Sequence, residues 1–135
     1  MTTFIGGVHF INDWNRSTTK WINIDRILHD EITSLLVDAA TQGVNIAKHL
    51  VETLYPPASS PGEPPRQRTG MLRDSIDIQH IERFMVEWGS NLDYSFYLER
   101  GTSKMLPRPH MLPASMEVSQ LFPDLLFRRF LEVTA

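Results

Sequence analysis

The chain contains no cysteine. That absence removes disulfides, thiolate metal sites and cysteine nucleophiles together, and it fits a reducing compartment. No apolar run approaches the roughly 20 residues that a bilayer-spanning helix needs. The opening Met-Thr-Thr-Phe-Ile-Gly-Gly has no basic stretch ahead of an apolar one, so no secretory signal is expected. A Gly-x-Ser-x-Gly elbow, a phosphate-cradling glycine loop and a dinucleotide fingerprint are also missing. The histidines, His9, His29, His49, His80 and His110, form no His-x-His or His-Glu-x-x-His pair. No transition-metal site is therefore expected. Positive charge is not in excess. The formal net charge of −3 argues against a general polycation made for nucleic acid. These absences together predict a soluble, cytoplasmic protein with no cofactor and no catalytic residues, and hence not an enzyme.

What is present is ordinary globular material. With 135 residues, 41% apolar and 21% charged, the chain should form one domain spanning residues 1–135. Phe4, Val8, Phe10, Ile11 and Trp14 surround Gly6-Gly7 and Asn12-Asp13. This pattern reads as one or two short strands with a turn or bulge at the glycines. Arg16 to Lys20 reads as a polar loop. From Ile24 through Leu28, Leu35, Ala39, Ala47 and Val51 to Leu54, apolar residues recur at spacings of three and four, the stripe of an amphipathic helix. Asn23 is its expected N-cap, Asp25 suits its positive end, and it would run about 45 Å. Gly43 marks a place for a kink or break.

Tyr55 to Thr69 holds five prolines, a serine pair and Gly62, a composition that excludes regular structure and predicts a long, mobile loop. Beyond it, Met71, Leu72 and Ile76 share a helical turn. Ile76, Ile78 and His80 then alternate with polar residues, as do Phe84, Val86 and Trp88 with Met85 and Glu87. Two antiparallel strands joined near Ile81 to Arg83 follow from that period of two. Asp93 opens a short helix with Tyr94, Tyr97 and Leu98 on one face, and Gly101 suits its C-terminal turn. Pro107 and Pro109 keep the chain extended, and Pro113 fits the first turn of a last helix. That helix carries Val118, Leu121, Phe122, Leu125, Leu126 and Phe130, with a kink expected at Pro123. The predicted class is α+β: a long N-terminal helix and a C-terminal helix packed on a small, mainly antiparallel sheet.

Residues 94–114 are dense in groups that fix backbone shape and poor in groups that do chemistry, as a surface for assembly would be. His29-Asp30-Glu31 looks chemical, but neighbouring helix positions diverge, and a solvated helix face is the plainer account. Glu52 and Glu99 are a carboxylate pair only if folding joins them. Trp14, Trp21 and Trp88 suit core packing better than a base-stacking platform. Arg66, Arg68 and Arg73 flank the proline-rich segment, and Arg100, Lys104 and Arg108 follow without an acid. Asp25, Asp30, Glu31 and Asp38 gather in the first helix. One basic edge and one acidic face follow. They serve either solubility or charge-complementary contact with another copy or with DNA.

Two stretches resemble one family. Pro61-Gly62-Glu63-Pro64-Pro65-Arg66-Gln67-Arg68-Thr69-Gly70-Met71-Leu72-Arg73-Asp74-Ser75-Ile76 is similar to its Pro-Gly-x-Pro-Pro…Thr-Gly-x-Leu-x-x-Ser-Ile signature. Tyr94-Ser95-Phe96-Tyr97-Leu98-Glu99-Arg100-Gly101-Thr102-Ser103-Lys104-Met105, with Arg108-Pro109 and Pro113-Ala114, is similar to its Tyr-x-x-Tyr-hydrophobic-Glu-x-Gly-Thr-Ser-Lys-Met…Arg-Pro…Pro-Ala signature. The family is the tailed-bacteriophage neck proteins, also called head–tail joining or tail-completion proteins (gene-product-ten-like). The chain departs from the pattern at Leu106-Pro107 and at His110-Met111.

The resemblance implies a non-enzymatic virion protein at the head–tail junction, present in the host cytoplasm during assembly. It implies a ring of six or twelve copies around the DNA channel. The partners would be head-side connector or stopper proteins and tail terminator or tail tube proteins, with DNA passing without sequence-specific contact and no membrane. The residues expected to contact neighbours are Pro64, Pro65, Arg66, Arg68, Tyr94, Tyr97, Glu99, Arg100, Lys104 and Arg108. A tail terminator ring and a small nucleic-acid-binding module are the alternatives.

Overall fold

One long helix organises the molecule. The computed structural model describes residues 3–5, 8–10 and 14–134, with side chains described over 25–132. Strands β1 (Thr3–Ile5) and β2 (Val8–Phe10) pair antiparallel, with Phe4 opposite His9. The expected strands on either side of the glycines are therefore present. Gly6-Gly7, where a turn or bulge is expected, and Ile11 to Asp13 lie outside the described residues. Helix α1 (Trp14–Leu50) follows and runs 37 residues, roughly 55 Å at 1.5 Å per residue.

Three local expectations need correction. Arg16 to Lys20 is helical rather than a loop, and Asn23 lies inside α1 rather than capping it. Neither segment contains proline or glycine, so nothing prevents a helix begun at Trp14 from continuing through them. The helix also ends at Leu50, which leaves Leu54 66% exposed beyond it.

Helix α2 (Met71–Ser75) is a single short turn that leads into strand β3 (Ile76–Glu82). Strand β4 (Met85–Ser90) returns antiparallel, with Ile76 opposite Ser90 and Glu82 opposite Met85. Arg83 and Phe84 therefore form the turn, slightly beyond the expected one. Phe84 takes a left-handed φ of 61°, a costly conformation for a bulky residue. Its ring rests 4.4 Å from that of His29 on α1, so a tertiary contact offsets a local cost. A register shift between Ile78 and His80 marks a bulge.

Helices α3 (Asp93–Arg100) and α4 (Met111–Thr134) complete the α+β fold. The β3–β4 hairpin packs on α1, and α4 runs along α1 rather than lying mainly on the sheet. Val44, Ala47, Val51, Ile76 and Ala114 are buried together, with Trp88, Leu72 and Met111 packed around them. Helix α4 continues through Pro123, although that residue withdraws the N–H that would reach the Ser119 carbonyl. Beyond its first turn the half-buried positions are Val118, Phe122, Leu125 and Arg129, one helical stripe. Leu126 and Phe127 stand on the exposed side at 49% and 63%.

Candidate functional site

The two stretches that carry the family resemblance are separated by residues 77–93 in sequence, yet the segments around them are clamped together. The loop between α1 and α2 has no regular element, but it is tethered. At its base the Tyr55 N–H donates to the Gln67 carbonyl (3.0 Å), and the Gln67 N–H donates to the Thr53 carbonyl (2.8 Å). At its tip the Gly62 N–H donates to the Pro107 carbonyl at 2.9 Å. Between these, Arg108 Nη1 donates to Ser59 Oγ at 3.0 Å. Ser59 and Pro65 are buried by this arrangement. A groove of about 440 Å³ remains between the loop, α2 and α3. Val51, Leu72, Leu98 and Met105 supply apolar lining, while Arg66, Arg68, Arg73, Arg108, Tyr55 and Tyr94 supply polar groups.

The segment after α3 is set by one carboxylate. Glu99 accepts backbone N–H bonds from His110 (2.9 Å), Met111 (3.0 Å) and Leu112 (2.8 Å). It therefore caps the N-terminus of α4 from outside that helix, where unpaired N–H groups and the macrodipole favour an anion. Burial pushes the Glu99 carboxyl upward, but the three backbone donors outweigh it and hold the group below its ordinary value. Gly101 makes the reversal between them possible. Its φ is 75°, and a Cβ there would stand 2.7 Å from the Met105 carbonyl oxygen. Arg108 N–H then bonds the Leu98 carbonyl at 2.7 Å, which closes the loop onto α3.

His110 is fully buried in this loop. Its Nε2 lies 3.0 Å from Ser95 Oγ. Its Nδ1 faces Glu99 Oε2 at 3.2 Å and the Arg108 carbonyl at 3.4 Å. Both groups facing Nδ1 are acceptors, so Nδ1 carries the proton and the Ser95 hydroxyl donates to Nε2. Burial lowers the His110 pKa, and the Glu99 charge opposes that only in part. The ring is a neutral internal brace.

The expected contact residues divide into groups. Pro65, Glu99 and Arg108 face inward and build the segment. Pro64 is half-buried. Arg66, Arg68 and Tyr94 line the groove, and Arg68 stacks over the Tyr55 ring at 4.3 Å. Tyr97, Arg100 and Lys104 are exposed outside it, with Arg100 over the Phe96 ring at 4.8 Å. Tyr94 and Tyr97 are 43% and 53% exposed, so they do not bury themselves between α3 and the sheet. Sequence reasoning missed Ser59, Ser95, His110 and Tyr55. Nothing local marks a serine or histidine that gains its partner from a distant segment.

The remaining charges are mostly spent within the fold. Asp25 approaches His29 (3.3 Å) and Arg83 (3.6 Å), while Glu31 and Asp38 approach Arg129 at 3.6 and 2.6 Å. The expected acidic face is thus largely neutralised by the hairpin tip and α4. His29 is also not a solvated residue, because it is wedged between Phe84 and Arg83. Glu52 pairs with His49 and Arg73 and Glu99 caps α4, so each carboxylate has its own partners. Trp88 packs against the core, and the side chains of Trp14 and Trp21 lie outside the described residues. Among the described residues no cluster of His, Asp and Glu could hold a metal ion, and no helix is long and apolar enough to cross a membrane. By contrast, no hydrogen bond or ion pair engages the side chains of Arg66, Arg68, Arg100 or Lys104 among the described residues. What the arrangement offers chemically is recognition: unpaired cations and exposed aromatics on a braced frame.

No protein-family model, no curated protein and no solved structure matches this chain.

Proposed function

We propose that the protein is a structural component of the phage neck, forming a ring around the DNA channel that completes the tail or joins it to the head. One observation carries this reading. The loop that carries the first stretch is hydrogen-bonded to the segment that carries the second, through Gly62–Pro107 and, just ahead of the first stretch, Ser59–Arg108, and the unpaired Arg68, Arg100 and Lys104 are exposed on these segments. Residues with a shared assembly role would be expected to converge in this way. Tyr94, Phe96 and Tyr97 add exposed aromatic area of the kind interfaces use.

The test is deletion of the gene in the phage or prophage that carries it, with electron microscopy of the products. Filled heads and separate tails of normal length are expected, and joining should return with the wild-type gene but not with Tyr97→Ser combined with Arg100→Glu and Lys104→Glu. Tails of irregular length would instead indicate a terminator ring. Normal infectious virions from the deletion would sink the proposal. The same unpaired cations favour a second reading, a nucleic-acid-binding module. Salt-dependent binding of duplex DNA to the isolated protein would support it, and no binding at low salt would remove it.

A further inference from the structure

We propose that the groove between the 55–70 loop, α2 and α3 is a docking site for a partner's peptide segment carrying an aspartate or glutamate beside a bulky apolar side chain. The inference goes beyond the neck reading and does not require it.

The lining combines an apolar floor with a ring of cations. Its floor is aliphatic and thioether surface from Val51, Leu72, Leu98 and Met105. Arginines stand around that floor, and no aspartate or glutamate is among the lining residues. Arg73 is already held by Glu52 at 3.2 Å. Arg66 and Arg68, respectively half-buried and exposed at the groove's edge, have no acidic partner among the described residues. A carboxylate is the group that best pairs a guanidinium beside apolar surface. An apolar floor beneath unpaired cations therefore selects a ligand with both characters. The volume of about 440 Å³ lies within the roughly 300–1,000 Å³ usual for ligand pockets, enough for a few side chains.

Two other occupants fit less well. A DNA backbone presents phosphates on a solvated, convex surface and would leave the aliphatic floor wet. A free inorganic anion would use the arginines and ignore the floor. The frame also suits docking, because the Gly62–Pro107 and Ser59–Arg108 bonds hold the groove's walls before a ligand arrives.

The experiment uses the purified full-length chain and an mRNA-displayed library of short random peptides, followed by fluorescence polarisation on the enriched sequences. The expected consensus pairs an acidic residue with an aromatic or aliphatic one. Arg66→Glu with Arg68→Glu should weaken binding by about tenfold or more, the scale of a lost charge-assisted bond. Arg128→Glu, an exposed cation on α4 outside the groove, should leave affinity unchanged. Circular dichroism melting establishes that the variants are folded. If the double reversal is unfolded, Arg68→Gln, at an exposed position, carries the test with an expected loss of several-fold. The proposal is overturned if no peptide enriches, if the consensus lacks an acid, or if affinity survives these substitutions. It is also overturned if duplex DNA is the only ligand lost on substituting Arg66 and Arg68.

Discussion

The Trp88 ring is seated against the Gly43 backbone so closely that a Cβ at position 43 would stand 2.5 Å from its Cζ2. Gly43 is not a break in α1 but the point where the sheet reaches the helix. The neighbouring Ala39, Ala40 and Ala47 are all nearly or fully buried, with Val44 beside them, so small residues make up much of the buried face of α1 here. In an exposed helix Gly→Ala is worth about 1 kcal/mol of stability. Here Gly43→Ala should instead destabilise, because overpacking costs roughly 1–3 kcal/mol. In a Trp88→Leu background the same substitution should stabilise. A double-mutant cycle by chemical denaturation checks the change of sign. Additivity of the two substitutions would rule out the contact as its cause.

Glu99 should behave as a helix cap. Glu99→Ala leaves three N–H groups of the His110–Leu112 segment without their acceptor and should cost about 1–2 kcal/mol. Glu99→Gln keeps one acceptor oxygen and should cost less. Thermal melts order the three proteins as wild type, then Gln, then Ala. If Glu99→Ala melts with the wild type, the capping role is wrong.

His110 and Glu99 should each weaken the fold as pH falls, whereas the exposed His80, whose pKa Glu82 raises, acts in the opposite sense. His110 is lowered from the ordinary 6.5 by burial. The folded state therefore binds fewer protons than the unfolded state, and stability falls as pH drops below that value. Glu99 is held below the ordinary 4.5, so its contribution is present above that pH and is lost as the pH falls toward the lowered value. In a His80→Gln background, which removes the opposing histidine, denaturation midpoints measured from pH 8 down to about pH 3 should decline first in the histidine range and then in the carboxylate range. His110→Gln should remove the upper phase and leave the lower. A profile that stays flat below pH 6.5 would contradict the neutral buried imidazole.

Arg129 reaches from α4 to Glu31 and Asp38 of α1, with its Nη2 2.6 Å from Asp38 Oδ2 and its side chain 28% exposed. Arg129→Met preserves bulk and removes the charge. The expected loss is about 1 kcal/mol, more than an isolated surface pair because three acids, Glu31, Asp38 and Glu132, share one guanidinium. The loss should shrink at high salt. A loss that does not respond to salt would place the effect in packing.

The fold class was legible because it rests on periodicity. The apolar stripe of α1, the alternation in β3 and β4, and the left-handed glycine after α3 each follow from spacing and residue type alone. The prolines between Tyr55 and Thr69 excluded regular structure for the same local reason. Legibility failed where two distant segments meet. Gly43 reads locally as a weak point, and only the position of Trp88 makes it a contact. Glu99 reads as one surface acid among many until α3 and the start of α4 lie side by side. His110, one of the departures from the family pattern, becomes a brace only because Ser95 faces it across the loop.

The sequence by itself determined most of the helix, strand and irregular stretches, though not the helical start of α1 at Trp14–Lys20, because those preferences arise from side-chain spacing and backbone restriction within a few residues. It also set aside recognisable metal and nucleophile motifs, since those need residue types or spacings this chain lacks. Tertiary structure alone decided which charges remain unpaired. Asp25, Glu31 and Asp38 are consumed by Arg83 and Arg129, and Glu99 by the start of α4. Arg66 and Arg68 are left beside an apolar groove. Charge pairing depends on distances of a few ångströms between segments tens of residues apart, and no local pattern encodes that.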